Sequence, residues 1–139
     1  MVRMSVGIVV LTALLVCLRD RAGAQGEKAS ELQATMKKIG DGSSGLFIKL
    51  GRELRDEEPT WDEARKYSQE MARLTAGLTK YTPPLGDKAS FDKQAKAFAA
   101  EVAALDAAIG KRDRATAFAA WKKLESQTCT GCHKVHRKP

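Results

Sequence analysis

Apolar residues in this chain recur at helical spacing in one segment after another, and no stretch alternates with the period of two that a half-buried strand requires. The clearest run is Phe91, Ala95, Phe98, Val102, Leu105 and Ile109, an unbroken alternation of four- and three-residue steps. Such a repeat draws one apolar stripe along a helix, and the stripe is stable only when other helices cover it. Gly110 follows it directly as a C-terminal stop, and Pro83, Pro84 and Gly86 exclude regular helix before it.

Three more stripes surround this one. Trp61, Ala64, Tyr67, Met71, Leu74 and Leu78 predict a helix from about residue 61 to 80, opened by a capping box in Thr60-Trp61-Asp62-Glu63 behind Pro59. Leu32, Met36, Ile39, Leu46, Phe47, Leu50 and Leu54 stay in phase across "GDGSSG" if Ser43 fills the missing step. They predict one helix from about Ser30 to Arg55, weakened by Gly40, Gly42 and Gly45 at up to about 1 kcal/mol each against alanine. Two shorter helices joined by a loop are the alternative. The last helix, capped by Asp113, turns Ala117, Trp121, Leu124, Thr128, Cys132 and Val135 inward. The expected fold is all-α, a four-helix up-down-up-down bundle. In that topology the start of the first helix, the connection between the second and third, and the end of the fourth share one end.

The chain opens "MVRMSVGIVVLTALLVCLRDRAGAQG", with Arg3 before an apolar run from Val6 to Leu18 and an A-x-A site at Ala22-Gly23-Ala24. This reads as a secretory signal peptide over 1–24, since a membrane span needs about 20 apolar residues. Cys17 lies inside the run and behind the bulky Val16, which suits neither lipidation nor a role in the mature chain. Residues 25–139 then form one domain, because a chain of that size supports a single core. The leader takes three basic residues and one acid with it, so the formal charge falls from +7 to +5. That excess is too mild and too dispersed to point to nucleic acid.

Chemistry concentrates near the C-terminus, in Cys129-Thr130-Gly131-Cys132-His133. Two thiols at this spacing reach both vinyl groups of one porphyrin, and the adjoining imidazole lies beneath the iron, which is the C-x-x-C-H pattern of covalent haem c attachment. Three other readings compete. A Cys129–Cys132 disulfide would close a tiny strained loop and leave His133 without a task. A thioredoxin-like pair belongs at a helix N-terminus after a strand, not near a helix C-terminus. Zinc held by Cys129, Cys132, His133 or His136 lacks a second C-x-x-C or a spaced histidine pair.

With "CTGCHKVHR" near the C-terminus of a four-helix pattern, the chain resembles the class II cytochromes c, cytochrome c-prime and its low-spin relatives. The resemblance implies that Cys129 and Cys132 carry the haem thioethers and that His133 is the proximal iron ligand. It implies a basic residue at Arg137, a candidate for contact with a haem propionate, and places His136 where the family often has an aromatic side chain.

Met36 lies about 9 Å into the first helix at 1.5 Å per residue, level with His133 if the two helices run antiparallel. It resembles the helix-one methionine of the low-spin relatives and is the expected distal ligand, whereas Met71, mid-helix, is expected to be core. Trp121 is expected in the bundle core, His136 on the surface, and Tyr81 and Phe91 beside the haem end. Nine basic residues, among them Lys28, Lys37, Lys38, Lys134, Arg137 and Lys138, fall toward that end against four acids, with six against eight at the other. The expected protein is an exported, periplasmic electron carrier and not an enzyme, with one haem c. Its expected partners are redox proteins with an acidic docking surface, and a homodimer is possible in the same scheme; the alternative is a five-coordinate protein that binds NO or CO.

Overall fold

The computed structural model describes residues 29–137, and every regular element within them is helical. Helix α1 occupies 29–40, followed by α2 (Leu46–Arg55), α3 (Trp61–Ala76) and a short 3-10 turn at Leu78–Lys80. Helix α4 is the longest at Lys88–Gly110, and the chain ends in a continuous rod made of α5 (Arg114–Lys123), a π-helical turn (Leu124–Cys129) and α6 (Thr130–His136). The expected signal peptide, Cys17, Lys28 and Lys138 lie outside the described residues. Among those described, no helix is long and apolar enough to cross a membrane.

Contacts close into a ring: α3 packs on α2 and α4, and α5 packs on α4 and α2. The stripes read from the sequence meet inside it, with Leu50, Leu54, Met71, Val102, Leu105 and Trp121 all essentially inaccessible to solvent. Helix α1 joins through Leu32, Thr35 and Ile39, and the Thr35 hydroxyl shares a 3.2 Å hydrogen bond with the buried Tyr81 hydroxyl.

The single helix expected from Ser30 to Arg55 is broken. The Asp41 N–H still donates to the Lys37 carbonyl at 2.9 Å, but Gly42 turns left-handed at φ 44°, and Ser44 and Gly45 both fold back onto the Asp41 carbonyl. Glycine adopts that conformation without the penalty of a Cβ, so the segment forms a tight turn in place of a helix already weakened by three glycines. Because the turn spans about one helical step, Phe47, Leu50 and Leu54 still face the same core as Ile39.

Two expected helix ends are also corrected. The Thr60 side chain makes no capping bond; its N–H donates to Glu53 Oε2 at 3.2 Å, and Glu63, which a capping box would have used, lies 3.7 Å from Lys66. A carboxylate from the preceding helix therefore satisfies the orphan donor. Helix α3 stops at Ala76, with Leu78–Lys80 tightening into the 3-10 turn, so the predicted end near residue 80 is an α-helix end followed by a connector. Asp113 caps as expected, its Oδ1 accepting from Thr116 N–H at 3.0 Å. Asp87 does the same for α4, accepting from Ser90 N–H at 2.8 Å. Gly110 is the last residue of α4, but the left-handed position falls on Arg112 at φ 54°.

Trp121 is the keystone of the α2–α5 contact. Its indole stacks on Phe47 with ring centres 4.7 Å apart and donates from Nε1 to the Phe47 carbonyl at 2.9 Å. The ring lies so close over Gly51 that any Cβ there would collide with it. Helix propensity favours alanine at such a site by about 1 kcal/mol, whereas overpacking a fixed aromatic costs about 1–3 kcal/mol. Gly51→Ala should therefore lower the unfolding free energy by up to about 2 kcal/mol in a urea titration, and a stabilised variant would show that the indole can move aside.

Candidate haem-attachment site

One cavity, about 180 Å³, gathers the residues that the sequence singled out from opposite ends of the chain. Met36 and Ile39 from α1, Phe47 from α2, Phe91, Gln94 and Phe98 from α4, and Cys129, Cys132 and His133 from the final rod all line it. Leu78 and Ala95 extend the apolar wall, and Glu125 and Thr128 add polar groups beside the cysteines. Both cysteines are free thiols and partly buried, and the Oε1 of Gln94 is buried with no hydrogen-bond partner.

The thiols are not poised for redox exchange. Burial, followed by the neighbouring Cys132, Glu125 and Glu101, pushes the Cys129 thiol up to about 11, and burial raises Cys132 as well. A catalytic dithiol needs the opposite shift. Nor do these residues assemble a zinc site: among the described residues no group of three or more His, Cys, Asp or Glu side chains is placed to hold a metal ion. Two protonated thiols, a neighbouring imidazole and a thioether around one apolar cavity fit the donor set of a covalently attached haem.

The π-helical turn at Leu124–Cys129 directs these side chains. A π turn takes one residue more than an α turn, so every position after it lags by one step. The expected inward face, ending Thr128, Cys132, Val135, is corrected accordingly: Val135 is 47% exposed and His136 only 3%. The expectation that His136 sits on the surface is overturned by the same slip. Glu101 of α4 holds the turn from both sides, pairing with Lys123 Nζ at 2.9 Å and accepting from the Thr128 hydroxyl. The Thr130 hydroxyl donates to the Glu125 carbonyl at 3.1 Å, using an acceptor that the wider turn leaves accessible.

His133 lines the cavity while much of the residue remains at the surface. Partial burial, then the Arg137 cation, hold its imidazole below the usual histidine range, which keeps a ring nitrogen free to act as a ligand at neutral pH. Arg137 is exposed beside it, its backbone N–H donating to the His133 carbonyl at 3.1 Å. Met71 is fully buried in the core and Trp121 nearly so, both as expected. Of the two aromatic residues at this end, Phe91 lines the cavity and Tyr81 is buried behind it against Thr35. Among the described residues Lys37, Lys38, Lys93, Lys134 and Arg137 are exposed and outside every ion pair, whereas Lys88 is bound to Asp92 at 2.5 Å.

Sequence reasoning missed Phe47, Gln94 and Glu101. Phe47 was legible only as a core position, and Gln94 adjoins the apolar α4 stripe without belonging to it. Nothing in sequence pairs Glu101 with Thr128, which lies 27 positions away and faces it only because of the π turn.

Every regular element among the described residues is helical, and the C-x-x-C-H segment at 129–133 shares one cavity with Met36 of α1. Residues 85–137 match the model of a family described as Cytochrome C'. The match contains Cys129, Cys132, His133 and Arg137 and stops short of Met36. No curated protein and no solved structure matches the chain.

Proposed function

We propose that this chain is an exported c-type cytochrome that carries single electrons, built as an up-down-up-down four-helix bundle with its haem at the end shared by α1 and α6. The observation that carries the reading is the single cavity lined by both thiols, His133 and the Met36 side chain. Cys129 and Cys132 would hold the group through thioethers, and His133 of α6 and Met36 of α1 would supply its iron ligands. Haem so ligated supplies a one-electron Fe(III)/Fe(II) couple, and Met/His ligation raises its potential. Phe47, Phe91 and Phe98 keep water from the buried edge. At about 180 Å³ the cavity is smaller than the roughly 300–1,000 Å³ of pockets that enclose small ligands, so its lining residues would enclose only part of a haem and would leave an edge open to electron exchange.

A five-coordinate protein that binds NO or CO is the second reading. It is favoured by the family match itself, which is described as Cytochrome C' and covers the proximal side alone. Absorption spectra of the oxidised and reduced holoprotein separate the two: low-spin bands with a near-infrared sulfur-to-iron transition support the electron carrier, and high-spin spectra support gas binding.

Export to the periplasm and an acidic redox partner complete the proposal, with Lys37, Lys38, Lys134 and Arg137 exposed around the haem end. Fields between exposed charges are screened within about 8 Å at physiological ionic strength, so electron transfer to a strongly acidic redox protein should slow as salt rises. Lys134→Gln with Arg137→Gln should flatten that dependence in stopped-flow measurements. Equal rates at low and high salt in the unmodified protein would sink the charge argument.

A further inference from the structure

The helix that carries Cys132 and His133 is short and lightly held. Helix α6 spans seven residues, and among the described residues its only side-chain hydrogen bonds to any element outside its own rod come from His136. The imidazole Nδ1 lies 2.8 Å from the Leu85 carbonyl, so Nδ1 carries the hydrogen, because a carbonyl only accepts. Nε2 lies 3.3 Å from the Ser90 hydroxyl, in the first turn of α4. The ring meets Phe91 edge-on with centres 5.5 Å apart, and Phe91 itself lines the cavity. The loop closes on the ring at Gly86, where φ is 74° and a Cβ would stand 2.7 Å from His136 Nδ1.

This arrangement exchanges the ordinary preference. A valine is exposed and a histidine buried at adjacent positions, although burying an imidazole is costly unless both nitrogens are satisfied. Here both are. His133 and His136 are three residues apart on one helix, hence neighbours on its surface, and whatever fixes the rotation of one fixes the other.

We propose that His136 is a positioning residue: pinned to the Leu85 carbonyl and the Ser90 hydroxyl, it sets the rotation of α6 and with it the direction from which His133 reaches the iron. The proposal rests on His133 being the proximal ligand and is independent of what occupies the sixth position. A ligating histidine needs its orientation fixed by surrounding groups, and among the described residues α6 makes no other side-chain hydrogen bond beyond its own rod.

The test uses full-length holoprotein made with a c-type maturation system. His136→Phe keeps a ring against Phe91 and deletes both hydrogen bonds. His136→Asn retains an amide N–H close to the Nδ1 position, able to donate to the Leu85 carbonyl. With His136→Phe, the electron paramagnetic resonance spectrum of the oxidised protein should split from one set of g values into more than one, and amide exchange over residues 85–90 should accelerate at least tenfold. His136→Asn should restore a single set. If His136→Phe keeps the single set and merely lowers the urea midpoint, His136 is a stabilising contact and the proposal is overturned. Should His136→Phe fail to fold, Ser90→Ala decides: broadened signals and about threefold faster exchange are expected, and unchanged values overturn it. A high-spin parent protein would count against Met36 ligation and leave this test intact, since high-spin g values and the iron–histidine stretch of the reduced form still report on His133.

Discussion

Met36→Ala should convert the oxidised protein from low-spin to largely high-spin, abolish the near-infrared sulfur-to-iron band, and allow carbon monoxide to bind readily after reduction. Among the described residues Met36 is the one methionine that lines the cavity, and it comes from α1 whereas His133 comes from α6. Met71 cannot replace it, being fully enclosed in the core. Truncation to alanine also removes packing atoms, so Met36→Leu is the better control: it fills nearly the same volume and carries no sulfur. A high-spin spectrum in both variants identifies a lost ligand, whereas a change in Met36→Ala alone identifies a packing defect. If the parent is already high-spin and neither variant alters it, the iron has an open face and the gas-binding reading prevails.

Much of the helical fold was written in periodicity. The α4 stripe needed only counting, and Phe91, Ala95, Phe98, Val102, Leu105 and Ile109 are all buried. The break after Gly40 was visible in composition and was outweighed by phase, because the turn replaces one helical step and leaves the stripe unshifted. The π turn left no comparable trace. Residues 124–129, Leu-Glu-Ser-Gln-Thr-Cys, contain neither glycine nor proline, and their extra residue per turn shows only downstream, as a valine turned out and a histidine turned in. The site was legible to the extent that its chemistry is local: Cys129, Cys132 and His133 lie within five consecutive positions, and Met36 could be placed by helical rise. The Glu101 and His136 contacts join residues 27, 46 and 51 positions apart, and no periodic signal encodes such pairings.

Cys129→Ala combined with Cys132→Ala should abolish covalent haem altogether, the largest effect expected of any substitution here. Each thiol can form one thioether, and no other cysteine remains after residue 24. The parent holoprotein should keep its haem through acid–acetone extraction and stain for haem on a denaturing gel; the double variant should do neither, and Cys17→Ala should match the parent. His133 and Met36 remain in the double variant and can hold haem without a covalent bond, so a coloured protein that releases its haem into the organic layer is still in accord with the assignment. Retention of haem in the protein layer would place the attachment elsewhere. The fold should feel the loss as well. Empty apolar volume costs about 24 cal/mol per Å³, so leaving a cavity of about 180 Å³ unfilled corresponds to roughly 4 kcal/mol. Against a total of about 5–15 kcal/mol for an ordinary domain, that is a large share of stability. The haem-free double variant should therefore unfold at a markedly lower urea concentration than the holoprotein, with protection from amide exchange lost first in α6, whose side-chain hydrogen bonds beyond its own rod, among the described residues, come from His136 alone.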